Sequence, residues 1–210
     1  MTGAPIDNIY LSGGFDDAVF QSQAAFRAIM DAMAKPGTVH SFSDGTIPPK
    51  PIPPAAGAIL LTLCDHDTSV WLEPSLLARP EISAWIGFQT GALIADHPSD
   101  ADFALILSPD AMPDLSTFAL GSAEYPETST TLILGIDRLA GAENDNATLI
   151  LEGPGIDGEA RLVADPFPVT LIEALQTNRK MFPRGVDLIL VTQKHVAALP
   201  RSTTVWIVEA

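Results

Sequence analysis

The run Val186-Asp187-Leu188-Ile189-Leu190-Val191 constrains the fold more than any other stretch of this chain. A strand with one wet face alternates polar and apolar residues. This run is apolar almost throughout, so both its faces must be covered, as in a sheet with layers on each side. Pro183 and Gly185 supply the turn before it. Leu199-Pro200 supplies another before a second strand, Thr203 to Val208. Asp102 to Leu107 and Thr130 to Ile136 have the same buried character, and Ser69 to Leu72, Thr38 to Phe42 and Ala160 to Val163 read as shorter strands. Thr148 to Glu152 is expected to pair with 130–136 as a hairpin, turning at Ala142 to Asn146.

Helical patterns fall between these runs. Asp16 is the expected N-cap of a helix reaching Lys35, stopped by Pro36-Gly37. Val19, Phe26, Ile29, Met30 and Met33, with Phe20 beside them, give that helix one broad apolar stripe, expected to face the core. Arg27 and Asp31 stand four apart on its polar side, the spacing of a surface ion pair. Ala55 to Cys64 is small and apolar enough for a buried helix. Pro74 to Phe88 reads as one or two helices broken near Pro80, with Trp85 inward, and Phe167 to Met181 is amphipathic. About seven strands and four or five helices predict an α/β fold: a mixed β-sheet with helices packed on its faces. The expected organisation is an extended leader, residues 1–14, and one α/β domain, residues 15–210. The prolines of Ile47-Pro-Pro-Lys-Pro-Ile-Pro-Pro54 make that segment a stiff extended connector.

Charge narrows the function. With 11 basic and 26 acidic residues the net charge is -15, which argues against nucleic acid and anionic membranes as partners. No apolar run is long enough to span a bilayer, and no secretory leader is recognisable at Met1, so a cytoplasmic location is expected. The lone Cys64 excludes internal disulfides and clusters held by this chain's own thiolates; it reads as a core thiol. From Leu171 onward, however, five basic residues (Arg179, Lys180, Arg184, Lys194, Arg201) outnumber three acids (Glu173, Asp187, Glu209). This basic island is the electrostatic anomaly of the chain.

Phosphate loops, dinucleotide fingerprints, nucleophile elbows and C-x-x-C pairs are all missing from the sequence. Asp65-His66-Asp67 suggests a metal, but ligands adjacent in sequence diverge, so a hydrogen-bonded turn is expected and no metal. The candidate site is an anion-binding one. Gly153 and Gly155 allow backbone N–H groups to approach an anion, while Arg184 and Arg201, at strand beginnings, reach past the sheet edge to supply charge. The bland alternative gives the glycines to a tight turn and the arginines to solvent. No catalytic residue and no cofactor emerge.

Several stretches resemble a known family. They are Phe15 to Gly37, Leu61-Thr-Leu-Cys-Asp-His-Asp-Thr-Ser-Val-Trp-Leu72, Tyr125-Pro-Glu127 before Thr131-Leu-Ile-Leu134, and Leu151-Glu-Gly-Pro-Gly-Ile156. Phe182-Pro-Arg-Gly-Val-Asp-Leu-Ile-Leu190 and Leu199-Pro-Arg-Ser-Thr203 close the series. In order and interval they resemble the H subunit of the bacterial carbon–phosphorus lyase system, the PhnH family, over residues 15 to 205. The resemblance implies a fold like the large domain of pyridoxal-phosphate-dependent transferases, without the cofactor site. It implies a homodimer in isolation and a place beside the G, I and J subunits in a core complex. That complex forms ribose 1-alkylphosphonate 5-triphosphate from an alkylphosphonate and a purine nucleoside triphosphate. The I subunit is credited with the nucleosidase chemistry and the J subunit with the iron–sulfur cluster. The family has no agreed catalytic residues to carry over. Two positions depart from its pattern: Phe88-Gln89-Thr90 lacks a histidine common there, and Arg184 stands where a small or apolar residue is usual. The competing class is a stand-alone transferase-like enzyme acting on a small anion. It would need a Schiff-base lysine at the sheet, and Lys35, Lys50, Lys180 and Lys194 fall at helix ends, in the proline segment and in a polar turn.

Overall fold

A computed structural model describes residues 12–42, 45–141 and 148–208. Its larger sheet has seven strands, in spatial order β1 (His40–Ser41), β10 (His195–Leu199), β9 (Asp187–Val191), β5 (Thr131–Gly135), β4 (Phe103–Ile106), β2 (Ser69–Leu72) and β3 (Leu93–Ile94). From β9 to β3 neighbouring strands are parallel. β10 runs antiparallel to β9, and β1 antiparallel to β10. A second sheet, antiparallel throughout, is ordered β11 (Thr204–Ile207), β7 (Leu149–Glu152), β8 (Ala160–Asp165) and β6 (Arg138–Gly141). The fold is thus α/β with a mixed sheet, as expected, but with two sheets.

The apolar strands explain the layering. Successive side chains of a strand face opposite ways. Leu132, Leu134, Leu188 and Leu190 join one buried cluster with Leu149, Leu151, Leu162 and Val205 of the second sheet and Leu171, Ile172 and Leu175 of α5 (Val169–Lys180). Their neighbours Ile133, Ile189 and Val191 join the other cluster, with α1 (Ala18–Ala34), α2 (Pro54–Leu63) and α4 (Pro80–Thr90). The central strands are therefore covered on both faces, by helices on one side and by the second sheet with α5 on the other. Trp85 is fully buried as expected, and α3 (Pro74–Leu77) is separated from α4 near Pro80.

Several expectations need correction. Residues 131–135 and 149–152 are not a hairpin: β5 lies between β4 and β9, and β7 lies between β11 and β8 in the other sheet. A strand buried on both faces belongs in the middle of a parallel sheet, and β6 leads the chain away to the second sheet before β7 begins. The turn expected at Ala142 to Asn146 lies outside the described residues, as does most of the leader. The strands β3, β6 and β10 were not foreseen; the first has two residues, and β6 carries the helix-like Arg138-Leu-Ala-Gly141.

The first helix departs most. Its N-cap is Asp17, whose carboxylate accepts the Phe20 N–H at 3.2 Å. The face that packs inward is Ala25, Ile29 and Ala32, with Met33 packed against it, so of the expected stripe only Ile29 and Met33 reach the core. Val19, Phe20, Phe26 and Met30 are 62%, 71%, 50% and 49% exposed. Two alanines let the helix approach α2 and the sheet closely, and the bulky residues, roughly 100° round the helix, are left outside. Arg27 and Asp31 form no ion pair with each other. Ile29→Ala is therefore expected to cost about 2 to 5 kcal/mol. Phe26→Ala should stay within about 0.5 kcal/mol, as at an ordinary surface position. Chemical denaturation of both variants checks the assignment; equal losses would mean that Phe26 packs in the core.

Candidate functional site

The four residues expected to hold an anion come to different places. Arg201, in the turn from β10 to β11, folds inward rather than past the sheet edge. Its side chain is 13% exposed and that of Asp187, at the start of β9, is 14%. All five guanidinium N–H groups have acceptors. Nε donates to the Asp187 carboxylate at 3.1 and 3.2 Å, and Nη2 to Asp187 and the Ser129 hydroxyl. Nη1 donates to the carbonyls of Pro126 at 2.8 Å and Pro183 at 3.3 Å. The Arg201 backbone N–H also reaches Asp187, at 2.7 Å. This cation is fully engaged by its own chain.

Gly153 and Gly155 serve close backbone approaches. A Cβ on Gly153 would lie 2.9 Å from the Ser202 carbonyl oxygen, and one on Gly155 2.1 Å from the Ala34 carbonyl oxygen at the end of α1. With φ values of 150° and 84°, both positions favour glycine. Gly153 thus sits beside the Arg201 turn and Gly155 beside the first helix. Arg184 is exposed, in the loop after α5, where Arg179 stacks over the half-exposed Phe182 ring at 5.5 Å. Of the four residues, Arg184 alone presents its charge to solvent.

The other notable surface is the outer face of α1. A groove of about 560 Å³ runs along it, lined by Ser22, Gln23, Phe26, Arg27, Met30 and Thr62, the last from α2. A second, of about 410 Å³, continues through Phe20, Asp31 and His40 to the edge strand β1. Two phenylalanines and a methionine around such a groove are the composition of a protein-docking surface.

The chain matches the model of a bacterial phosphonate metabolism protein family, PhnH, over residues 13–206. It belongs to the PhnH family. It is 41% identical over 192 residues to the "Alpha-D-ribose 1-methylphosphonate 5-triphosphate synthase subunit PhnH" of Rhizobium meliloti (strain 1021), covering 91% of this chain and 94% of that one. A "Putative C-P lyase subunit protein HtxG" of Stutzerimonas stutzeri is 30% identical over 186 residues, covering 87% and 85%.

Two further groups of this family member stand beside one another, at the end of α2 and in the turn after it. Asp65, His66 and Asp67 form a hydrogen-bonded turn: the Asp65 carboxylate accepts the Asp67 N–H, and Thr68 closes the turn on Asp65. Their ligand atoms nonetheless converge to within 4.8 Å, closer than adjacency in sequence suggested, though all three side chains are exposed. Cys64 is buried, and that burial pushes its thiol up to about 12, with Asp65 and Asp102 adding to the rise against a hydrogen bond with Thr68.

Two buried polar residues escaped the sequence reading. Glu73, 2% exposed, accepts the N–H groups of Leu107 and Ser108, both at 3.1 Å, and hydroxyls of Ser75 and Ser108. Asn178 pairs through its amide with both backbone groups of Val186 at 2.9 Å, which only a glycine at 185 leaves room for. A lone glutamate before a proline and a lone asparagine in a helix carry no sequence signal of burial.

Two predictions follow from these surroundings. Arg201→Gln breaks a largely buried, fully hydrogen-bonded pair from one side and should cost about 3 kcal/mol, whereas Arg184→Gln should change stability by no more than about 0.5 kcal/mol; urea unfolding separates the two. Native Cys64 should resist iodoacetamide at pH 8, since the thiolate is the nucleophile and its share is about one part in ten thousand. Its folded pKa lies above the unfolded one. The thiol's contribution to stability is therefore intact below about pH 9 and declines as pH rises toward 12. Mass spectrometry should find labelling only after unfolding.

Proposed function

We propose that this chain is an accessory subunit of the assembly that forms alpha-D-ribose 1-alkylphosphonate 5-triphosphate in phosphonate breakdown. It works in the cytoplasm, joined to the G, I and J subunits, and pairs with a second copy of itself when isolated. Membership of the PhnH family and the name of the Rhizobium relative support the pathway. The observation that carries the subunit role is the exposed apolar face of α1, with Phe26 and Met30 lining one groove and Phe20 the adjoining one.

Its occupant in this reading is a different subunit. A second copy at -15 is disfavoured at this face by long-range repulsion, which a less acidic surface meets less and a basic one not at all, so the self-pairing of the isolated chain is assigned to another surface. Arg27 and Asp31, without an ion pair among the described residues, supply the polar fringe that fixes register. The larger sheet, with its reversed β10, is read as the large domain of a pyridoxal-dependent transferase put to structural use. Arg184, with Arg179 and Lys180 nearby, remains the candidate contact for an anion or an acidic partner.

The test is co-expression with the G, I and J subunits. Phe20, Phe26 and Met30 are replaced together by serine. The isolated variant should melt like the native chain and should fail to co-purify with the other three. Recovery of the full assembly at native stoichiometry would remove α1 from the interface. Sedimentation of the isolated chains distinguishes the remaining outcome: if the variant loses only self-pairing, the face belongs to a second copy.

A further inference from the structure

The carboxyl edge of the parallel strands holds a cavity of about 310 Å³. Leu107 follows β4, Ile136 and Asp137 follow β5, and Thr192 and Gln193 follow β9, so three neighbouring strands supply its floor. Pro51 and Pro53 of the proline segment roof it. That segment is fastened at both ends: the Lys50 carbonyl accepts Arg79 Nη1 at 3.4 Å, and the Ala55 N–H reaches the Gln193 carbonyl at 3.3 Å. The stiff connector is thus a strap drawn across the strand ends, which is where α/β sheets hold their ligands.

Its chemistry is the reverse of a phosphate site. Anions at strand ends are held by uncommitted backbone N–H groups and by cations. Here the N–H groups of Leu107 and Ser108 are taken by the Glu73 carboxylate. Those of Ile136, Asp137 and Thr192 go to the carbonyls of Val191, Asp165 and His195. Among the described residues, no lysine or arginine lines the cavity. Its lining includes instead Asp137, whose carboxylate has no ion pair or side-chain hydrogen bond among the described residues, and Gln193. Around these lie apolar walls of Pro51, Pro53, Leu107 and Ile136.

We propose that this cavity is a binding site for a small planar molecule bearing positive charge or several hydrogen-bond donors, such as an amidine or an amino-substituted heterocycle. The flat group lies between the prolines and the Leu107–Ile136 floor, and its donors meet Asp137 and Gln193. The site goes beyond the subunit role and does not depend on the α1 face. It also separates two duties within the chain: anions belong at the basic loop near Arg184, and cations or donors at the carboxyl edge.

The test uses two probes of one shape and opposite charge, benzamidine and benzoate, titrated into the full-length chain and followed by backbone amide shifts. Benzamidine should shift the amides of residues 135–137 and 192–193 saturably, and benzoate should not. Asp137→Asn should weaken benzamidine about tenfold or more, the effect of losing a charge-assisted contact. Gln193→Leu, which keeps the backbone contact to Ala55, should weaken it less. Both residues are exposed, so both variants should melt like the native chain. Equal binding of benzoate, full affinity in the Asp137 variant, or no saturable benzamidine binding would each overturn the proposal. Assembly with the G, I and J subunits is unaffected by any of these results, so failure here is distinct from failure of the subunit reading.

Discussion

The ion pair between Arg201 and Asp187 fixes the relation of the two sheets. Arg201 stands where the chain leaves β10 of the large sheet for β11 of the small one. Its guanidinium holds Asp187 at the start of β9, Pro183 just before it, and Pro126 and Ser129 ahead of β5. Three segments distant in sequence are thereby clasped at the amino edge of the central strands. A buried charge is tolerable only when its donors and acceptors are matched, and here every N–H of the guanidinium has a partner. A lysine could not replace it, having three donors around one point rather than a planar fork. The basic island of the sequence is therefore two things: a structural arginine within the fold, and the end of α5 with Arg179 and Lys180 followed by an exposed loop carrying Arg184.

The opposite edge is closed by different means. Glu73 follows β2 and turns its carboxylate onto the backbone after β4. Chain order reverses between these strands, since β3 lies on one side of β2 and β4 on the other. A crevice opens at such a point in an α/β sheet and commonly receives a ligand's phosphate. In this chain its own glutamate fills that role. The strap of prolines then covers the adjoining strand ends and leaves a cavity whose exposed polar residues are an aspartate and a glutamine. A sheet closed by its own charges at both edges is a rigid platform, suited to presenting surfaces to neighbours.

Much of this architecture was legible in the sequence. The continuous apolar runs at 103–106, 131–135 and 187–191 announced strands buried on both faces, and Pro80, Pro36-Gly37 and Asp16 marked helix ends within a residue or two. Pairing was less legible. A buried strand carries no sign of which neighbour it takes, so 131–135 and 149–152 looked like a hairpin although they lie in different sheets. Of the candidate site, sequence found the arginines and glycines but not their surroundings. Arg201 and Arg184 look alike as Pro-Arg pairs, and only the inward turn toward Asp187 separates a buried clasp from a solvated charge. Glu73, Asp137 and Gln193 carry no spacing signal at all, because their roles depend on strand ends brought together from far along the chain.

The first helix illustrates a limit of periodicity that bears on function. An apolar stripe at helical spacing states that one face avoids water, not what covers it. The alanine face and the phenylalanine face of α1 are both apolar, and the helix uses the narrower one to reach its own core, where Ala25 and Ala32 permit close packing. The wider face, with Phe20, Phe26 and Met30, is left to solvent in the isolated chain. Burying a large aromatic side chain stabilises by about 1.5 to 3 kcal/mol, so leaving two of them outside forgoes a gain the fold could have taken by rotating the helix. A second protein surface can recover that gain. On a chain at -15, association by charge alone favours partners less acidic than itself. Hydrophobic contact at α1 and charge selection over the rest of the surface together favour a particular kind of neighbour, and neither requires this subunit to carry out the chemistry.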